Sequence, residues 1–341
     1  MSVFLKKLLF ALRGGIPTLA RYEARRAALL EKYERYCALK QTDNMMFYRE
    51  LSVQKATPRR QSGLTKKEWK SVKREFNRVR KTEEVLTFFK LQKKYRSFRS
   101  ITDWELKFED SFSGSALDAK KWLDHYYVKG AGLNTSYYSP ADENHVYTSG
   151  ANVSVSDQTL KIVTKNESAA GLGFSEAYGF VPVERKYTSG IVNTGGSYRM
   201  EQGRVEAKIR FKQPSKGIYH AVWLGSGKRL PHVNIMRIGK KLEFSVFAEG
   251  QASGHDTLQY VSLWSRRRLR QNAYYIVELE WNADRITWRV NGVTMLTTPN
   301  IVKEPMFIAF SSGVTGARAG AAPALLEVDW VKAYQRNELA V

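Results

Sequence analysis

Residues 230–239 read L-P-H-V-N-I-M-R-I-G, and residues 219–224 shortly before them read Y-H-A-V-W-L. Alternation along a strand puts His232 and Asn234 on one face. One bulged residue returns Arg237 to that same face. The stretch therefore predicts a strand that presents an imidazole, an amide and a guanidinium in one row. An amide carries no charge and cannot tune a neighbour's pKa as a carboxylate can. An arginine side chain stays protonated far above neutral pH and delivers no proton there. Of the three, only His232 belongs to a residue type that titrates near neutrality.

Outward from this strand the texture is β. Residues 203–211, G-R-V-E-A-K-I-R-F, set Val205, Ala207, Ile209 and Phe211 on one face and charges on the other. Residues 152–163 alternate as a half-buried strand and turn should, and residues 187–194 and 275–281 read as further strands. Residues 286–296 read as a hairpin turning on Asn291-Gly292, because that pair favours the positive φ of a tight β-turn. The texture begins at Ile101, with W-E-L-K-F-E-D-S-F-S-G at 104–114 and Lys121-Trp122. It closes with L-E-V-D-W-V-K-A-Y at 326–334.

Taken in order, these segments resemble the family 16 glycoside hydrolases, the laminarinase and lichenase group. In that family an aromatic W-P-A-F-W-M segment precedes a strand E-I-D-I-M-E, and a D-Y-V-R-V-Y strand closes the domain. The resemblance runs from Ile101 to about Gln335, assigns 101–341 to one domain, and implies a mainly β fold, an antiparallel β-sandwich of the concanavalin A-like jelly-roll type with a concave glycan cleft. On the motif, His232 falls on the nucleophile Glu, Asn234 on the Asp, and Arg237 on the acid/base Glu. A retaining glycosidase needs two carboxyl groups roughly 5 Å apart, and all three carboxylates of the motif are replaced here. The resemblance also implies that Trp223, with Tyr219 beside it, stacks on sugar rings. It makes Asp329 the candidate ligand of a structural calcium ion, which takes oxygen donors.

Charge divides the 341 residues. Residues 1–100 hold 26 Lys+Arg against 9 Asp+Glu, a net +17, and the rest of the chain holds 29 against 24, a net +5. Residues 1–100 thus read as a basic α-helical arm that seeks an acidic protein surface, a nucleic acid or a membrane surface. Gly14-Gly15-Ile16-Pro17 breaks a first amphipathic segment. Leu19, Tyr22, Leu29, Tyr33 and Tyr36 follow helical spacing. Residues 41–64 read as a loop. Thr65-Lys66-Lys67-Glu68 fits a capping box, and Trp69, Val72, Phe76 and Val79 form a stripe that Leu86 and Phe89 extend. Narrow stripes on a hundred basic residues bury little alone, so the arm is expected to dock. A lone Cys37 excludes an internal disulfide. No stretch reaches the ~20 apolar residues of a membrane span. The opening apolar run, 8–12, falls short of a ~7–15-residue signal core, so no signal peptide is expected.

Together these observations predict a pseudoenzyme: a catalytically inactive glycosidase-like domain that binds a polysaccharide or serves as a structural module. Its arm would fix it in a larger assembly such as a phage particle, which leaves the chain virion-associated. Two rival classes remain. Glu243, Glu249 and Asp256 would serve as displaced acids in an active glycoside hydrolase. Alternatively the arm, with Trp69, Phe76, Tyr95 and Phe98 among its charges, would bind nucleic acid. The run Arg266-Arg267-Arg268-Leu269-Arg270 reads as a solvated loop.

Overall fold

A computed structural model describes residues 15–127, 138–140, 143–175, 177–212, 217–250, 257–316 and 322–337. The opening amphipathic segment up to residue 14 and the candidate acid Asp256 lie outside the described residues. Two compact units are present, Ala20–Trp104 with Asn337, and Glu105–Arg336 with residues 15–19.

The first unit is five helices, α1 (Leu19–Leu39), α2 (Asp43–Ala56), α3 (Lys66–Val79), α4 (Glu83–Gln92) and α5 (Tyr95–Thr102). The capping box at the start of α3 is formed. The Glu68 N–H donates to Thr65 Oγ1 at 3.3 Å and the Thr65 N–H donates to Glu68 Oε2 at 2.8 Å. Two expectations are corrected. Residues 41–64 are not one loop, since α2 occupies much of them. Met45, Tyr48 and Leu51 recur every three residues and pack into the unit's core, a helical period hidden among polar neighbours. The α3 stripe also does not run on through Leu86 and Phe89, which are 57% and 36% exposed. The chain turns at 80–82, so α4 starts with a new phase and buries Val85, Phe88 and Leu91.

The stripes expected to await a partner meet one another. Tyr36 stacks on Phe88 at 5.0 Å, Tyr48 stacks on Phe76 at 5.3 Å, and Phe98 closes on Tyr33 and Tyr36 at 5.6 Å each. Basic side chains cover this core and their stems join it, with Lys55 Nζ 4.0 Å over the Phe76 ring and Lys40 Nζ 4.5 Å over Tyr36.

The second unit holds nineteen described strands. In chain order they are β1 (Trp104–Asp110), β2 (Tyr138–Ser139), β3 (His145–Tyr147), β4 (Val153–Ser156), β5 (Thr159–Thr164), β6 (Ala169–Ser175), β7 (Gly179–Arg185), β8 (Tyr187–Ser189), β9 (Ile191–Asn193) and β10 (Gly203–Lys212). There follow β11 (Ile218–Gly225), β12 (His232–Ile238), β13 (Lys241–Glu249), β14 (Thr257–Ser265), β15 (Tyr275–Trp281), β16 (Arg285–Val290), β17 (Val293–Pro299), β18 (Phe307–Val314) and β19 (Ala324–Arg336). They build one sheet ordered β17-β16-β15-β10-β19-β5-β4 with β1 on β19, and a second ordered β14-β13-β12-β11-β18-β9. A smaller third sheet is ordered β7-β6-β2-β3-β8. The two large sheets are antiparallel and share one core, so the unit is a jelly-roll sandwich.

Alternation explains the core. Val205, Ala207, Ile209 and Phe211 of β10 are fully buried and belong to one core cluster with Leu242, Phe244 and Val246 of β13. On the outer face of β10 the expected charges are ion-paired, Arg204 to Glu206 at 3.3 Å and Arg210 to Glu327 at 2.5 Å. The hairpin between β16 and β17 turns on Asn291 and Gly292, with φ of 44° and 73°, as that dipeptide favours.

The helical core is small, so each large side chain in it carries weight. Replacing the fully buried Phe98 by Ala is expected to cost about 3–5 kcal/mol. Thermal melts followed by ellipticity at 222 nm check this: the helical signal should be lost at a lower temperature than in the wild type.

Candidate functional site

The bulge predicted in the motif is present on β12. Across from β13, Asn234 pairs with Ser245 and Arg237 with Glu243, three steps on one strand against two on the other. On the β11 side, Trp223 pairs with Asn234 and Val222 with Met236. Ile235 and Met236 are therefore both buried in the core, and His232, Asn234 and Arg237 share the opposite face. The Asn234 carbonyl, at the bulge, accepts from the indole N–H of Trp288 at 2.9 Å. That indole comes from the facing sheet and is fully buried. An unsatisfied buried carbonyl costs about 1–3 kcal/mol, so this bond holds the bulge in place.

The polar row is knitted together. His232 Nε2 lies 3.1 Å from Asn234 Oδ1. Asn234 Nδ2 donates to Ser245 Oγ at 2.9 Å and to Glu243 Oε1 at 3.4 Å, and Ser245 Oγ donates to Glu243 Oε1 at 2.7 Å. The Arg237 guanidinium lies 4.0 Å from the centre of the Tyr219 ring. Burial pushes the His232 imidazole below its ordinary pKa. The Arg237 charge adds to this, against the opposing effects of Asn234 and Glu243. The ring is therefore neutral at pH 7, donating from Nε2 to Asn234.

The aromatic residues lie beneath other rings. Trp223 is 7% exposed, with ring centres of His232, Phe307 and Tyr126 at 5.0, 5.6 and 6.5 Å. Its Nε1 donates to Ser311 Oγ at 3.1 Å. Tyr219 is 8% exposed. Burial raises the phenol pKa values of Tyr219, Tyr126 and Tyr147, so all three remain protonated donors.

Two further residues join this face without having been singled out in the sequence. Glu143 Oε1 accepts from the Tyr219 hydroxyl at 3.2 Å. His145 is fully buried, with Nδ1 accepting from the Val314 N–H at 3.1 Å and its ring 4.6 Å from Tyr147. Their i, i+2 spacing in E-N-H-V-Y at 143–147 was the available signal. Gly313 makes room for them, since a Cβ there would stand 2.6 Å from both His145 Cε1 and Tyr219 Oη.

The other expected sites lie apart from the row. Glu249 ends β13, pairs with Thr257, and lines an open cavity of about 320 Å³ with Leu230, Pro231, Ala248, Leu258 and Lys303. The arginine run includes a 3-10 turn, Arg266–Arg268, and exposes Arg267, Arg268 and Arg270 around the buried Leu269. Asp329 lies on the outer face of the first sheet with Oδ2 2.8 Å from Lys208 Nζ. An ammonium already balances this carboxylate, and among the described residues no group of three His, Cys, Asp or Glu side chains could hold a metal. Calcium takes six to eight oxygens, and the Lys208 ammonium on the Asp329 carboxylate opposes a second cation beside it.

Two measurements check this electrostatic picture. Burial lowers the His145 pKa to about 3 and that of His220, also fully buried, to about 4. An unfolded histidine takes up a proton below about 6.5, whereas these two stay neutral, so acid favours the unfolded chain from about pH 6.5 downward. At pH 5 the loss should be on the order of 2 kcal/mol for each histidine. The fall in Tm from pH 7 to pH 5 reads it, and His145→Gln with His220→Gln should flatten that fall. Separately, millimolar calcium and EDTA should give the same Tm. A rise with calcium would overturn the reading of Asp329.

The sequence model of glycosyl hydrolases family 16 matches residues 140–332. The chain is similar to glucan endo-1,3-beta-glucosidase A1 of Niallia circulans, 25% identical over an alignment 280 positions long that covers 70% of this chain. It spans 39% of the length of that curated relative. The catalytic domain of an endo-1,3-beta-glucanase (laminarinase) from Thermotoga petrophila superimposes with a TM-score of 0.53 at 19% identity, over 69% of this chain and 99% of that one. The endo-beta-1,3-glucanase of Pyrococcus furiosus does so with a TM-score of 0.52 at 20% identity, over 68% and 95%. These superpositions speak to the fold. With the sequence match spanning more than half of its length, the chain belongs to glycosyl hydrolases family 16.

Proposed function

We propose that this chain is a non-hydrolytic member of its family, whose β unit binds a polysaccharide without cleaving it. One observation supports the reading: the bulged strand sets His232, Asn234 and Arg237 on one face, and the motif resemblance would put the two carboxyl groups of a retaining mechanism at the first and last of these positions. A neutral imidazole, an amide and a guanidinium can hold hydroxyls by hydrogen bonds. They offer neither a carboxylate nucleophile nor a carboxylic acid. The basic helical unit is the docking part, with its apolar stripes packed inside and its cations outside. It would hold the chain to the acidic surface of a larger assembly, for which a phage particle is one setting. A nucleic acid is the alternative partner for the same cations.

A second reading is favoured by Glu243. Its carboxylate sits within the polar row on Ser245 and Asn234, and would act as a displaced acid in a working glycosidase.

The full chain incubated with laminarin and lichenan decides between them. No reducing ends should appear above the buffer rate, while affinity electrophoresis in the same glucans should retard the protein. Turnover that Glu243→Gln abolishes would establish the displaced-acid reading. Turnover that survives Glu243→Gln would place the chemistry elsewhere altogether.

A further inference from the structure

The third sheet turns a row of rings outward. Register places Tyr138 beside Leu172, Leu172 beside Pro182, and Phe174 beside Phe180, so these side chains share one face of β2, β6 and β7. The inner end of the face is buried, since Tyr138 is 8% exposed and clusters with Trp223, Tyr219 and Phe307. The outer end is open. Phe174 is 52% exposed, Phe180 38%, and Tyr178, in the turn between β6 and β7, 84%. Neighbouring ring centres form an unbroken wall, from Trp223 to Tyr126 at 6.5 Å, to Tyr138 at 4.7 Å, to Phe180 at 6.2 Å and to Phe174 at 5.5 Å.

We propose that the outer end of this wall, Phe174 and Phe180, with Tyr178 in the adjoining turn, is a docking platform for a neutral polysaccharide, which lies along the hairpin instead of descending to Trp223. The inference rests on the polysaccharide-binding reading above and moves the contact to a surface outside the His232, Asn234 and Arg237 row.

Three observations support it. Exposed aromatics gathered on one hairpin mark a contact surface, because they bury apolar area only when something covers them. An apolar pyranose face on an aromatic ring makes such a contact. Charge then selects the occupant. The chain carries a net +22, yet the hairpin 169–185 holds one cation, Arg185, against two acids, Glu176 and Glu184, and Arg185 alternates to the face opposite Phe180, with its Nε donating to Ser139 Oγ at 2.9 Å. A surface meant for a nucleic acid or an acidic glycan would carry the cations this protein has in plenty. Finally, β7 is an edge strand whose residues 180, 182 and 184 are all exposed. Glu184 pairs with Ala170 and shares the face of Phe180 and Pro182, so a carboxylate stands in line with the rings to accept from sugar hydroxyls.

The test uses the full chain in affinity gels containing laminarin or lichenan. The double variant Phe174→Ala/Phe180→Ala should bind at least tenfold more weakly than the wild type, with unchanged circular dichroism. Phe174→Tyr/Phe180→Tyr keeps the rings and should keep the retardation. A double alanine variant retarded as strongly as the wild type would overturn the platform and leave the polysaccharide-binding reading standing. A wild type that runs unretarded in both glucans would overturn the two together. Sedimentation velocity covers the remaining occupant. A wild-type dimer that Phe174→Ala/Phe180→Ala converts to monomer, with retardation unaltered, would make the hairpin a self-association surface and overturn the platform as well.

Discussion

The indole N–H of Trp288 reaches across the sandwich core to the carbonyl of Asn234, and the face presented by β12 depends on that contact. A bulge gives one strand an extra residue and leaves backbone groups out of step with the ladder. Here the facing sheet supplies a donor at that point, so the bulge has a partner inside the core. With the bulge held, Ile235 and Met236 both turn inward, and Arg237 rejoins the face of His232 and Asn234. A strand without the bulge would send Arg237 into an apolar interior, where an uncompensated charge is costly. The polar row is thus a consequence of how the core is satisfied.

The outer side of that row is governed by burial. Desolvation keeps His232 neutral and the phenols of Tyr126, Tyr147 and Tyr219 protonated, so the face is a set of fixed donors and acceptors. Those groups largely satisfy one another: His232 on Asn234, Asn234 on Ser245, Ser245 on Glu243, and Tyr219 on Glu143. Tyr126 and Tyr138 continue the aromatic packing away from Trp223, and exposure rises only at the β6–β7 hairpin. The two large sheets supply the scaffold, and the small third sheet decides which rings meet solvent.

The helical unit separates apolar packing from charge. Its stripes interlock through Tyr36, Phe88 and Phe98, while most of its cations stay outside. Like charges on a small domain repel and lower its stability. Lysine stems lying over Phe76 and Tyr36 recover part of this by covering apolar surface with their methylenes.

Much was legible in the sequence because it is local. Strand alternation in 203–211, the Asn291-Gly292 turn, the Thr65 capping box and the bulged spacing from His232 to Arg237 all depend on residues close in the chain. The loop expected over 41–64 failed for a related reason. The three-residue recurrence of Met45, Tyr48 and Leu51 stands out only once the helices that bury it are in place. The phase slip after Val79 likewise followed from a turn at 80–82 that composition does not reveal. Residue identity by itself determined that β12 would carry no carboxylate in its polar row, and that the positive charge would gather in the first hundred residues. Tertiary structure alone decided that Trp223 would be covered, that Glu143 and His145 would join its face from far away in the chain, and that Asp329 would meet Lys208. Each of these is a contact between segments that only the folded sheets bring within reach.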